Sequence, residues 1–342
     1  MNVSFEDKIY PVGKVALILD ALAAAGIATE GALKRIGLPK TAISSPATRV
    51  SLNQVIDCCC YAVEHAPDPH FAYRTGLRFH VSAYGMYGFA ILSSVNHRRT
   101  MQFAVKYHQL ATPLTTLEFT ESDGYGIWLF SPPSHARIDA RLLQFIVELQ
   151  FGIIVSLQRD IMGSTFSPRE FQVTYSPSHE VQNYASAFKA PVLFGQPANR
   201  LLFDSSWLDG TPTFGNEITH SVIVDLCDAQ VEEFKLAKGL VGEVRRLFMK
   251  NPGQPMRFEH VAQSLNMSVR TLRRRLREEN NSFRQVVDEL RRDMAVRYLR
   301  ETDLTVEDIA EALGFSNATN FRQAFRRWTK AAPHEFKNAG NR

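Results

Sequence analysis

The feature that most limits what this chain can fold into is an internal repeat near its C-terminus. Val261-Ala262-Gln263-Ser264-Leu265-Asn266-Met267-Ser268 aligns with Ile309-Ala310-Glu311-Ala312-Leu313-Gly314-Phe315-Ser316 at an offset of 48, and Leu272 and Leu276 then match Phe321 and Phe325 at an offset of 49. Each copy reads as a short helix, a tight turn and a second helix. In the first copy Phe258, Val261, Ala262 and Leu265 fall at helical spacing. Asn266-Met267-Ser268 makes the turn, and Val269, Leu272 and Leu276 face the same core. In the second copy Thr305-Val306-Glu307-Asp308 has the pattern of a capping box. Gly314 stands where a left-handed helix end is needed, and the next helix buries Phe321, Phe325 and Trp328. Between the copies, Ser282 to Arg300 reads as one longer helix with the apolar stripe Phe283, Val286, Val287, Leu290 and Met294. It holds the two units at a fixed separation. The pattern is a helix-turn-helix, present twice.

Charge singles out the same segment. The whole chain carries a formal net charge of +4, but residues 241–342 contain 20 of the 39 Lys+Arg and 13 of the 35 Asp+Glu, a net of +7. The first 240 residues keep 19 cations against 22 anions, or −3. Only Lys250, Lys330 and Lys337 are lysines among the C-terminal cations. Arginine offers a planar fork that engages phosphate or guanine with two hydrogen bonds, so an arginine-dominated basic module points to nucleic acid. The second helix of the first copy is Arg270-Thr271-Leu272-Arg273-Arg274-Arg275-Leu276-Arg277, with leucines inward and arginines outward. That of the second copy runs from Asn317 to Trp328 and mixes Thr, Asn and Gln with Arg on its outer face. Asn and Gln read adenine edges and Arg reads guanine. A helix designed only for solubility would more often mix Glu with Lys. Two such helices on one rigid chain can enter successive major-groove faces, about 34 Å apart, without a dimer.

Ile309-Ala310, Leu313-Gly314-Phe315-Ser316 and Phe321-Arg322-Gln323-Ala324-Phe325-Arg326-Arg327-Trp328-Thr329 together resemble the long signature of the AraC/XylS family of bacterial transcription regulators. That signature ends in Gly-x-Ser-Pro in the family. Here Lys330-Ala331-Ala332-Pro333 keeps the proline and lacks the glycine and serine, a departure that touches the turn after the recognition helix. The resemblance implies base-facing positions at Arg270, Arg273 and Arg274 in the first copy and at Ala318, Thr319, Asn320 and Gln323 in the second. Arg277, Arg322 and Arg326 are expected to lean toward phosphates, which position the protein while base contacts specify sequence. It further implies double-stranded DNA as partner and activation through contact with RNA polymerase. Residues from about 12 to 235 resemble the arabinose-binding-like N-terminal domain of one branch of the family, through Ala25-Gly26, Leu33, Gly37-Leu38-Pro39, Arg49-Val50-Ser51-Leu52, Gly88 to Ser94 and Val192-Leu193-Phe194-Gly195. The branch includes regulators of varied small molecules, so its name does not imply arabinose here.

The expected fold class is therefore α+β: an N-terminal α+β domain for effector binding or dimerisation over 1–235, then an all-α domain with two helix-turn-helix motifs over 236–342. In the first domain helices are expected over Gly13–Gly26, Leu52–His65, Tyr84–Ser94, Arg99–Leu110 and Arg137–Met162. A β-hairpin is expected over Thr115–Phe130 with its turn at Ser122-Asp123-Gly124. Phe171–Tyr175 and Arg200–Phe203 are short strand candidates, and helices from Glu217 to Lys250 lead to the basic module. Neither βαβ alternation nor a parallel-sheet pattern is evident. The stretch Tyr84 to Phe89 and the hairpin's Trp128 and Phe130 are core or, if a pocket exists, its apolar lining. Arg74, Arg78, His80 and His108 are candidate anchors for an acidic effector, though such side chains are usually surface groups. Cys58, Cys59 and Cys60 invite a redox-sensor reading, but adjacent cysteines on a helix do not bridge easily, and no flanking cation lowers a thiol pKa. A helix around Ile218–Phe234, with Val222, Leu226 and Val231, is either the seam of a homodimer or core. A hinge is expected near 232–240, where Lys235, Lys238 and Gly239 interrupt the apolar pattern.

Other classes fare poorly. The chain has no GxGxxG, GxxxxGK[ST], HExxH or GxSxG motif, so no catalytic residue and no cofactor is expected. The four cysteines lack CxxC spacing and the two prolines between His65 and His70 break a helical ligand face, so no metal site is expected. The start lacks the basic and apolar regions of a secretory signal and no uninterrupted apolar run reaches about 18 residues, so a cytoplasmic protein with no membrane partner is expected. The competing reading is a protein-interaction adaptor with non-specific DNA affinity. A true reader discriminates its site by roughly 10³–10⁷-fold over random DNA.

Overall fold

A computed structural model of the chain describes residues 5–177, 181–236, 239–250, 253–254, 256–279 and 281–339. It separates into two compact units, Met1–Phe234 and Lys235–Arg342. Two residues of the expected hinge, 237 and 238, lie outside the described residues.

The first unit runs through helices α1 (Gly13–Ala24), α2 (Glu30–Ile36), α3 (Lys40–Ile43), α4 (Leu52–His65), α5 (Phe71–Gly76), α6 (Gly85–Ser93), α7 (His97–Tyr107), α8 (Ala140–Met162), α9 (Val181–Phe188) and α10 (Glu217–Leu236). Its strands are β1 (Tyr10–Pro11), β2 (Arg49–Val50), β3 (Thr116–Ser122), β4 (Tyr125–Ser131), β5 (Glu170–Gln172), β6 (Val192–Leu193) and β7 (Asn199–Asp204). Strands β1 and β2 pair antiparallel, and the other five form one sheet in the order β3-β4-β7-β5-β6. The expected hairpin is present. Its two-residue turn, Asp123-Gly124, has φ of 52° and 81°, the left-handed pair that matches strand twist. Along β4 the even positions Gly126, Trp128 and Phe130 are buried, the period-two pattern of a half-buried strand. Phe130 meets Phe151 of α8 edge-on at 5.4 Å, so the sheet packs on that helix.

Helix α8 is long and apolar enough to cross a membrane by length and composition, but most of it is buried inside the unit. It starts at Ala140, not Arg137, because the Asp139 side chain accepts from Leu142 N at 2.8 Å and caps it. Asn96 likewise starts α7 at His97. Helices α5 and α8 cross at glycines: a Cβ on Gly76 would lie 2.2 Å from Leu149 O and 2.8 Å from Gly152 Cα, so no larger residue fits that crossing.

The expected Tyr84–Ser94 helix is divided into a 3₁₀ turn at Val81–Tyr84 and α6. One expectation is corrected outright. β5, α9 and β6 form a small βαβ unit, with β5 and β6 parallel. Three-residue and two-residue strands are too short to leave the apolar runs by which parallel strands are recognised.

The second unit is helical: α11 (Gly239–Lys250), α12 (Phe258–Ser264), α13 (Val269–Glu278), α14 (Phe283–Glu301), α15 (Val306–Ala312), α16 (Ala318–Thr329) and α17 (Pro333–Ala339). It has two cores. Leu240, Val244, Phe248, Val261, Leu272, Leu276, Val286 and Leu290 form one. Ala295, Leu299, Ile309, Leu313, Phe321 and Phe325 form the other. Helix α14 gives its first half to one core and its second half to the other, and Met294 packs against both.

Candidate nucleic-acid interface

Each copy of the repeat is built by the same local devices. After α12, Asn266 takes φ 51°, Met267 N donates to Ala262 O at 2.8 Å and Asn266 N to Gln263 O at 3.0 Å. After α15, Gly314 takes φ 72°, Phe315 N donates to Ala310 O and Gly314 N to Glu311 O, both at 2.9 Å. Both are the paired hydrogen bonds of a left-handed helix end, with asparagine doing in one copy what glycine does in the other. The following helices are capped alike. Ser268 accepts from Thr271 N at 3.1 Å and Asn317 from Asn320 N at 2.8 Å. The capping box at Thr305 and Asp308 is present. A second one, Ser282 with Gln285, starts α14.

These devices aim α13 and α16 outward. Leu272, Leu276, Phe321 and Phe325 are at most 1% exposed. With those pairs aligned, Arg270 corresponds to Thr319, Arg273 to Arg322, Arg274 to Gln323 and Arg277 to Arg326. All eight are exposed. At 100° per residue, the first, third and fourth pairs lie opposite the buried stripe and the second lies on its flank. The guanidinium of Arg273 rests 5.5 Å from the centroid of Phe258. Two other expected positions sit differently. Ala318 is half-buried and packs on the second core. Asn320 is exposed on the other flank, its amide donating to Ser316 Oγ at 2.8 Å.

Some outward cations have ion-pair partners. Arg274 pairs with Glu278 at 2.8 Å, Arg322 with Glu307 at 2.6 Å and Arg327 with Asp288 at 3.0 Å. At exposed sites such pairs are weak and exchange readily for a stronger anion. Asn320, Gln323 and Arg327 share one polar hollow with Arg284, in the first turn of α14. Sequence reasoning gave Arg284 no role; its place outside the α14 stripe was legible, its neighbours were not. Arg291 holds the scaffold, donating to Leu313 O at 3.1 Å and lying 5.0 Å from the centroid of Phe315. Glu279 caps α11, accepting from Leu240 N at 2.9 Å and Val241 N at 3.2 Å. The turn after α16 survives the missing glycine, since Lys330 itself adopts φ 62°.

Comparison with known proteins gives the family. Residues 26–211, more than half of the chain, match the arabinose-binding N-terminal domain of AraC transcription regulators, and residues 261–339 match a helix-turn-helix domain family. The chain belongs to the AraC family of transcription regulators. It is 28% identical over 346 residues to the ornithine utilization regulator of Pseudomonas aeruginosa, covering 98% of each. It is 26% identical over 270 residues to the regulator VqsM of the same organism, covering 77% of this chain and 82% of that one. The solved structure of the transcriptional regulator CdpR from P. aeruginosa shares its fold, with a TM-score of 0.51 at 19% identity over 99% of this chain and 100% of that one. The chain is thus a DNA-binding transcription regulator of AraC type and not an enzyme.

In this AraC-type regulator the first unit encloses a cavity between α1, α6, α7, β4 and α8. Of the four candidate anchors only His108 lines it. Arg74 is exposed and paired with Asp68, Arg78 is exposed, and His80 is bound to Asp160 at 2.9 Å. Trp128 lines the cavity, whereas Phe130 belongs to the core. Lys14 and Gln150, both buried, also line it. Sequence reasoning missed them, although Lys14 shares a stripe with Ile18 and Leu22 at four-residue spacing. Burial lowers the Lys14 pKa to about 8 and that of His108 to about 4.

Burial works against thiolate formation at the three adjacent cysteines. Cys58 and Cys59 are fully buried, and burial pushes the Cys58 thiol up to about 12 and Cys59 well above the usual range. The fold does bring cations, Arg35 and Arg137, near Cys60, but burial outweighs them and its pKa is raised too. The α10 stripe divides in two. Ile223, Cys227 and Val231 are core, while Ile218, Val222 and Leu226 are 80%, 57% and 47% exposed.

Proposed function

We propose that this regulator is an activator that reads a bipartite promoter site with α13 and α16, under the control of a small molecule bound in residues 1–235. The reading rests on one observation above all: two equivalent exposed quartets, Arg270/Arg273/Arg274/Arg277 and Thr319/Arg322/Gln323/Arg326, presented by matched turns on either side of one 19-residue helix. That helix is about 28 Å long, on the scale of the ~34 Å between successive major-groove faces. Arg270, Arg274, Thr319 and Gln323 contact base edges, with Asn320 and Ala318 at the margin of that face. Arg273, base-facing by the family resemblance, sits on the flank of α13 over Phe258 and in this reading contacts phosphates with Arg277, Arg322 and Arg326, joined by Arg284. The all-arginine quartet favours guanine, and the Thr/Gln quartet favours adenine and thymine. RNA polymerase is the partner on the promoter. A second copy of the chain pairs through Ile218, Val222 and Leu226 of α10, an apolar stripe that a monomer leaves in water. The effector shifts DNA affinity only if it prefers one of two arrangements of the chain.

Selection from a randomised duplex pool at physiological salt tests the reading. Enrichment of two half-sites about one helical turn apart is the expected result. Enrichment of a single half-site removes the bipartite reading, and no enrichment leaves the adaptor reading in its place. Transcription in vitro from the selected site separates activation from repression.

A further inference from the structure

The cavity of the first unit brings together two buried N–H donors, on Lys14 and Trp128, that are short of partners. It measures about 30 Å³, room for about two water molecules. Its single cation is Lys14, buried on the wall. Lys14 Nζ donates to Thr112 O at 2.7 Å, and among the described residues no carboxylate pairs with it. An ammonium has three N–H groups, so two remain. Trp128 Nε1 is buried with no partner. The amide of Gln150, in a residue 5% exposed, makes no hydrogen bond among the described residues. No Asp or Glu lines the space, and Ile91, Ile154 and Leu157 give it an apolar wall. Burying a cation without a counter-ion is costly. It is more so in the first turn of α1, where the helix dipole is positive and Val12 supplies no capping side chain. His108 is neutral and spends one ring nitrogen on Thr115 O at 2.9 Å.

We propose that the effector is a small organic carboxylate of about the size of acetate, its carboxyl group held by Lys14 and its short carbon end by the apolar wall. The proposal rests on the reading of this unit as the effector domain. A carboxylate supplies acceptors for the unpartnered N–H groups of Lys14 and Trp128 and the negative charge Lys14 lacks. Inorganic phosphate is a poorer match, because its higher charge meets one cation and its oxygens meet isoleucine and leucine.

The test is calorimetric titration and thermal shift of the full chain with formate, acetate, propionate and inorganic phosphate, each organic acid beside its amide. The acids are expected to bind at least tenfold tighter than the amides and to raise Tm. Lys14→Met is expected to keep the fold, since the Met stem fills the same space, and to abolish the preference for acid over amide. Lys14→Gln serves as a second variant with the same expectation. Equal binding of acid and amide, or acid binding unchanged in both variants, overturns the proposal, as does binding of none of these compounds. DNA affinity is read in parallel. Acid binding through Lys14 with DNA affinity unchanged upholds the site and removes effector control. A neutral compound that shifts DNA affinity equally in wild type and Lys14→Met upholds control and overturns the carboxylate.

Discussion

The two units of the chain place charge in opposite positions. In the second unit the arginines of α13 and α16 stand in water, and the cores beneath them are carbon: Leu272 and Leu276 in one, Phe321 and Phe325 in the other. In the first unit Lys14, Glu148, Gln150 and Gln158 are inside, each at most 5% exposed. An exposed cation keeps its hydration whether or not a partner is present, so a polyanion can be read with little effect on folding. A buried ionisable group changes the folding free energy with every proton it gains or loses. Recognition in the second unit is therefore separable from stability, and in the first it is not.

The sharpest way to break that contrast is to attack the carbon beneath the arginines. Phe325→Ala should cost about 3–5 kcal/mol by the usual cost of emptying a buried aromatic site, and DNA binding should be lost with the fold of the second copy. Denaturant unfolding and circular dichroism check it; a variant that unfolds like wild type would show that the second core does not carry α16.

Glu148 tests the other side. It is buried, accepts from Gln144 Nε2 at 2.9 Å and Tyr175 OH at 3.1 Å, and burial raises its pKa to about 7. A carboxyl raised in the folded state stabilises while protonated and loses that contribution as pH rises through the folded value. The loss begins near pH 4.5, the ordinary value, and is complete above about 7, roughly 3 kcal/mol in all. Glu148→Gln keeps both hydrogen bonds without the charge. Its Tm should match wild type at pH 5 and exceed it at pH 8. Parallel Tm curves for the two proteins would remove Glu148 as a titrating group.

Smaller effects belong to the surface. Arg274→Ala or Gln323→Ala should cost about 1–3 kcal/mol in binding and relax preference at one base pair, with Tm unchanged. Binding to a panel of singly substituted duplexes measures this, and full retention of base preference would displace α13 or α16 from the groove. Smallest in sequence effect is Arg326→Ala. It should weaken all duplexes alike and lower the slope of log K against log salt by about one; a change confined to one base pair would make Arg326 a base reader.

The two regions were also unequally legible. Helix-turn-helix geometry is written locally: Gly314 and Thr305 announce a left-handed end and a capping box within a few residues of where they act, and both are present. Asn266 does the same with a residue less specific for that conformation. The first unit depends on contacts distant in sequence. Lys14 meets Thr112 across 98 positions, and β6 finds β5 across an intervening helix. Arg74, Arg78 and His80 were plausible anchors by type, yet the fold put them on the surface. His108 and Trp128 were plausible by the same reasoning, and the fold turned them inward.

What the sequence by itself determined is the α+β class, the doubled helix-turn-helix and its arginine faces, because turn chemistry, capping and helical periodicity act over a few residues. What only the tertiary structure decided is which polar groups of the first unit are deprived of water. Burial is a property of the whole packing, and α1, α7, β4 and α8 must converge before Lys14, Trp128 and Gln150 share one cavity.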